Sequence, residues 1–241
     1  MNDWLNIAQS LLFPPICVVC GAKGSHGLDL CLGCRAELPY QKQACQRCAL
    51  PLHGIHNDDG CSVALCGNCL NDSPAYDRVL SVFTYASPVD YLIQDLKFNR
   101  KLHIARLLGE IMADHLEQNV QIRPDLIIPV PLHRARLHER GYNQALELAR
   151  PIARKLNLPI DYLGCERSRA TPAQSDLPAK ERPCNVKGVF NITGSFKGRH
   201  VAIIDDVMTT GSTVEELATA LREAEASAID VWVCARASLN D

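Results

Sequence analysis

Val201-Ala202-Ile203-Ile204-Asp205-Asp206-Val207-Met208-Thr209-Thr210-Gly211-Ser212-Thr213 joins four apolar residues, two adjacent carboxylates and a hydroxyl-rich turn, and then opens an amphipathic run. A short apolar run bounded by charge predicts a buried strand, Val201 to Ile204, and the run from Ser212 to Glu225 has helical periodicity. The carboxylates then fall at the C-terminal end of the strand, where ligands of open parallel sheets bind. A helix N-terminus offers free N–H groups and the positive end of its dipole, so the turn suits a phosphate monoester. The hydroxyls of Thr209, Thr210, Ser212 and Thr213 add donors, and paired carboxylates suit ribose hydroxyls. Solvation of a strand end and ordinary helix capping would use the same residue types. No Gly-Lys-Ser/Thr follows, so the segment is not a P-loop of the Walker type.

On either side of this stretch the chain alternates strand and helix signals. Arg78 to Tyr85 and Leu126 to Val130 read as strands, as does Ile229 to Ala235. Val89 to Phe98, Ile104 to Leu116 and Asn143 to Leu156 read as helices. Repeated β-then-α units predict an α/β fold with a parallel sheet covered by helices. Arg167 to Gly188 is rich in proline and basic residues and reads as a long loop. The formal charge of -2 hides a basic segment, since Arg123 to Arg199 holds 14 Lys+Arg against 7 Asp+Glu.

The 12 cysteines are unevenly spread, with nine between Cys17 and Cys69. Eight of them form Cys-x-x-Cys pairs: Cys17/Cys20, Cys31/Cys34, Cys45/Cys48 and Cys66/Cys69. Two such pairs complete one tetrahedral zinc site, so four pairs predict two structural sites closed by protein ligands. Chain order suggests the first two pairs for one ion and the last two for the other, and an interleaved pairing remains open. Cys61, His53 and His56 read as loop residues, and Cys165, Cys184 and Cys234 as packing or loop residues. The N-terminus lacks the basic region and cleavage site of an export signal, and no apolar stretch approaches the roughly 18 to 20 residues of a membrane span. A cytoplasmic protein without a membrane span is expected. The polar stretch Leu70 to Pro74 suggests a division into residues 1–74 and 75–241.

The loop from Asp205 to Thr213 resembles the phosphoribosyl diphosphate (PRPP) signature of type I phosphoribosyltransferases. The resemblance implies PRPP binding by Asp205, Asp206, Val207, Met208, Thr209, Thr210, Gly211, Ser212 and Thr213. Ile128 to Arg134 is similar to the family's pyrophosphate loop, which assigns that role to Pro131, Leu132, His133 and Arg134; Arg136 and Arg140 extend the positive field. Arg140-Gly141-Tyr142-Asn143-Gln144, Arg169 to Ser175, Glu181-Arg182, Asn185 and Leu96-Lys97-Phe98, with the cysteine pairs, make the chain resemble the ComF/GntX family. That family combines a double zinc ribbon with a type I phosphoribosyltransferase fold and is linked to competence and the use of external DNA. The resemblance implies Mg²⁺ with PRPP, transfer of the phosphoribosyl group to an unknown acceptor, and release of pyrophosphate. It names no catalytic side chain. Glu139, Glu166 and His133 are candidate proton acceptors, and Tyr76 to Arg100 is the expected acceptor region. A second reading is a competence factor that binds single-stranded DNA or DNA-uptake proteins along the basic segment and uses PRPP as a regulatory ligand. The 5% aromatic content weakens it, because single-strand binding draws on base stacking.

Overall fold

The computed structural model describes residues 14–52, 64–169 and 188–238. Its centre is a parallel sheet of β1 (Arg78–Thr84), β2 (Leu126–Pro129), β5 (His200–Met208) and β6 (Ala228–Arg236), in the order β1-β6-β5-β2. β5 and β6 are buried almost throughout, as near-continuous apolar strands must be when both faces of a parallel sheet are covered. Alternate residues point into two cores. Ala202, Ile204 and Trp232 meet helices α3 (Val89–Phe98), α4 (Leu102–Asn119) and α6 (Gln144–Leu156). Val201, Ile203 and Val231 meet helix α7 (Ser212–Glu223) on the other face.

The cysteine-rich part contributes the short helices α1 (Leu32–Ala36) and α2 (Gly67–Asn71) and lies along the outer edge of β1. Thr84 N–H donates to Pro39 O at 2.8 Å, Gln41 N–H to Val82 O at 2.9 Å and Val79 N–H to Arg47 O at 2.8 Å. Tyr40 and Phe83 form an antiparallel bridge with ring centroids 5.0 Å apart. Cys17, Leu30 and Leu38 belong to the same core as Val82 and Ile93, so the ribbon and the sheet share buried surface.

Three features depart from the sequence reading. β5 does not stop at Ile204 but runs through Asp205 and Asp206 to Met208, because β6 offers a parallel partner along that whole length. Arg134–Arg140 forms a helix, α5, that starts on the His133 side chain, whose Nδ1 accepts the Ala135 N–H. The basic segment from Arg167 is entered from a short strand, β3 (Cys165–Arg167), paired antiparallel with β4 (Phe190–Ile192). Lys180, Glu181, Arg182, Cys184, Asn185, residues 170–175, Cys61, His53 and His56 lie outside the described residues.

Candidate phosphate and ribose site

At the C-terminal ends of β2 and β5 lies a cavity of about 350 Å³, the position that the winding of a parallel sheet leaves open. Its floor is Asp205 and Asp206, the latter 3% exposed. Each carboxylate steadies the next peptide: Asp205 Oδ1 accepts the Asp206 N–H and Asp206 Oδ1 accepts the Val207 N–H, both at 2.9 Å. Burial, then the Asp206 charge, holds the Asp205 pKa well above the usual carboxylate range. Lys97, in the last turn of α3, places Nζ 2.8 Å from Asp206 Oδ2. Burial opposes its charge, but the Asp206 and Asp205 carboxylates outweigh it and raise its pKa. The sequence marks Lys97 only as part of the Leu96-Lys97-Phe98 motif and gives it no role at the carboxylates.

The turn after β5 is shaped as a cradle. Gly211 has φ +86°, and a Cβ there would meet Met208 Cε at 2.6 Å, so the position needs glycine. Gly211 is the N-cap of α7 and offers no side-chain cap to the first helical N–H groups. Among the described residues, the N–H groups of Thr209, Thr210 and Gly211 donate to no protein acceptor. Donors left this way at a helix start suit an anion. Thr210 Oγ1 and Ser212 Oγ bond each other at 2.8 Å, and Thr209, Gly211 and Thr213 line the cavity.

The opposite wall comes from the β2–α5 connection. Leu132 and His133 line the cavity, together with Arg136, Glu139 and Arg140. Pro131 is buried, and Arg134 is 90% exposed with Glu166 3.9 Å away, so these two and Glu166 stand off the cavity wall. Arg140 donates to Gln144 Oε1 at 2.6 Å and lies 5.9 Å from the Phe98 ring centroid. Burial lowers its pKa against the Asp206 attraction, a desolvated cation that an arriving anion would satisfy. Arg167 also reaches the cavity, stacked 5.7 Å from the Phe190 ring. From Tyr76 to Arg100 only Lys97 and Phe98 contribute walls among the described residues.

Much of the basic segment is neutralised locally. Arg150 pairs with Glu147, Arg154 with Glu110, Lys155 with Asp114 and Glu117, and Lys197 with Glu225. The cations left at the cavity are therefore not part of a continuous stripe along α6.

The four cysteine pairs gather in chain order, Cys17, Cys20, Cys31 and Cys34 in one cluster and Cys45, Cys48, Cys66 and Cys69 in the other. A tetrahedron of Zn–S bonds of about 2.3 Å has edges of about 3.8 Å. Cys20 and Cys31 Sγ are 3.7 Å apart, and Cys48 and Cys66 Sγ 3.6 Å. In the second cluster burial opposes ionisation of Cys45, yet the N–H groups of Cys48, Cys66 and Arg47 bring its pKa down to about 7. Burial, then the Cys45 charge, pushes Cys48 up to about 11. Four thiolates in so small a space need a cation between them, and both clusters fit the closed sites of a zinc ribbon. Among the described residues no helix is long and apolar enough to cross a membrane.

The double zinc ribbon domain family matches residues 8–72, and the phosphoribosyl transferase domain family matches residues 98–238. DNA utilization protein YhgH of Escherichia coli (strain K12) is 36% identical over 234 residues, which cover 94% of this chain and 99% of that protein. Competence protein F of Haemophilus influenzae is 35% identical over 221 residues, 86% of this chain and 96% of its own length. Competence protein ComFC of Bacillus subtilis is 26% identical over 230 residues, 86% of this chain and 89% of its own.

Proposed function

The chain belongs to the ComF-type family of competence and DNA-utilisation proteins, a double zinc ribbon joined to a phosphoribosyl transferase domain, and we propose that its cavity binds PRPP with Mg²⁺ and transfers the phosphoribosyl group to a nitrogen acceptor. The observation that carries this reading is the uncapped turn at Thr209–Thr213 facing two buried carboxylates across one cavity. The turn amides and Thr213 take the 5-phosphate, and Asp205 and Asp206 take the ribose hydroxyls. Arg136, Arg140 and the chain at Leu132–His133 receive the diphosphate.

Buried carboxylates and phosphate oxygens are hard donors of the kind Mg²⁺ prefers, and the ion when bound supplies positive charge to the departing diphosphate. Lys97 stays on Asp206 Oδ2 and keeps the carboxylate charged and in place, while the remaining lone pairs of Asp206 accept from the ribose hydroxyls. The C1–oxygen bond breaks with its electron pair leaving on the diphosphate, and the acceptor nitrogen supplies the pair for the new C1–N bond. Asp206 and the turn hold the ribosyl group in line while cations stabilise the leaving oxygens. His133 Nδ1 accepts the Ala135 N–H, which leaves Nε2 as the ring nitrogen that can donate to a diphosphate oxygen. Glu139 is then the cavity group that takes the acceptor's proton.

Calorimetry should detect Mg-PRPP binding to the wild-type chain and none to the Asp206→Asn, Thr213→Ala double variant. Pyrophosphate release from PRPP, assayed across nucleobases and amines, should depend on one acceptor class. Equal binding by both chains would sink the site assignment, and tight binding without acceptor-dependent release would leave PRPP as a regulatory ligand.

A further inference from the structure

Arg236 ends β6 and is 3% exposed, yet no carboxylate meets it among the described residues. Its guanidinium is spent on main-chain carbonyls. Nε donates to Cys48 O at 3.0 Å, and Nη1 to Met208 O at 2.9 Å, to Ala237 O at 2.9 Å and to Thr209 O. One buried cation thus ties a knuckle of the second cysteine cluster to the turn after β5. In a trans peptide the C=O and the following N–H point in opposite directions. Holding the Met208 and Thr209 carbonyls on Arg236 therefore aims the Thr209 and Thr210 N–H groups away from it, on the side where no protein acceptor waits.

Further ties run the same way. Glu215, in the first turn of α7, accepts the Ala75 N–H at 2.9 Å, and Arg222 donates to Ala75 O at 2.9 Å. A second cavity, of about 230 Å³, is lined by Cys48, Cys66, Tyr76, Thr210 and Arg236. The first cluster has no such route. Among the described residues no hydrogen bond or ion pair joins Cys17, Cys20, Cys31 or Cys34 to Asp205–Thr213.

We propose that metal in the Cys45, Cys48, Cys66 and Cys69 cluster sets the shape of the phosphate turn through Arg236, so that occupancy of this one zinc site regulates PRPP affinity while the other does not. The metal fixes the Cys48 knuckle, the knuckle fixes Arg236, and Arg236 orients two peptides of the cradle. Arg236 is a positioning residue, and the proposal rests on the PRPP reading of the turn.

The test uses the full chain and reads metal content, hydrogen exchange of the peptide covering residues 205–213, and Mg-PRPP affinity, each well below the melting temperature. Cys66→Ala should lose one metal, speed exchange in that peptide and weaken Mg-PRPP by about tenfold, the worth of one charge-assisted hydrogen bond. Cys66→His supplies a fourth ligand again and should restore both readouts. Cys31→Ala should lose the other metal and leave both within about twofold of wild type, as a site without shared partners would. Arg236→Lys should keep both metals and reproduce the Cys66→Ala effect, and joining the two should add little.

The proposal is overturned if Cys31→Ala and Cys66→Ala act alike, if Cys66→His reloads metal without rescue, or if metal-replete Arg236→Lys matches wild type. Should Cys66→Ala fail to fold, metal-replete Arg236→Lys decides. Absence of Mg-PRPP binding to wild type would overturn the reading of the site, and the exchange readout would still decide the coupling.

Discussion

Asp205 keeps its proton in the native chain to a higher pH than it does in the unfolded one, where a carboxyl loses it near pH 4, about 3.9 for an unperturbed Asp. Between those two pKa values the native state binds more protons, so stability falls as pH rises. Asp205→Asn removes that dependence. Its gain over wild type in urea midpoint should be near zero at about pH 4 and grow toward neutrality, with the cysteine titration common to both chains cancelling in the difference. A gain that shrinks with rising pH would contradict the assignment. Lys97 has the opposite role, since its ammonium offsets the pair of carboxylates. Lys97→Met should destabilise the ligand-free chain at neutral pH by about 1–3 kcal/mol, below the full cost of stripping a buried pair because Lys97 is a quarter exposed. Urea unfolding at neutral pH reads it, and no loss there would mean that the carboxylates do not need the cation.

Asn143 shows how an element is tied to the site. Its Oδ1 caps α6 by accepting from the Ala145 and Leu146 N–H groups, and its Nδ2 donates to Val130 O at the end of β2. Asn143→Ala should cost about 1–2 kcal/mol as a lost cap, read by thermal unfolding. At the start of α7, Gly211→Ala should cost about 1–2 kcal/mol for the left-handed backbone and weaken PRPP binding as the Met208 contact reshapes the turn. Calorimetry and melting curves check both halves. The long elements were legible because their periods are unbroken: Val89–Phe98 and Gln144–Leu156 match the sequence reading closely. The end of β5 was not, because aspartate is depleted in strands and only the β6 partner makes room for two of them. α5 was hidden because Arg134–Arg140 is mostly charged and a histidine caps it. β3 and β4 are too short for an alternation to register. The acidic pair and the turn could be read from local chemistry, whereas Lys97 and Arg236 reach them from distant stretches, and no local pattern announces a tertiary contact.

Across the whole molecule, the zinc ribbons are part of the body that carries the site. Cys17, Leu30 and Leu38 share a core with Val82, and Arg47 bonds the backbone of β1. Chelating both metals should therefore lower the melting temperature of the entire chain and speed amide exchange in Arg78–Thr84, and unchanged exchange in that strand would show the ribbon to be a mere appendage. The order β1-β6-β5-β2 adds a matter of timing. During synthesis β1 follows the ribbon directly, but its parallel neighbour β6 is the last strand of the sheet to be made. The segment around Pro39–Arg47 pairs along the other side of β1, the side that β6 does not take, so the waiting strand has one bare edge rather than two. A chain started at residue 75 should accordingly self-associate where the full chain does not, and equal sedimentation of the two would show that this edge of the sheet needs no cover.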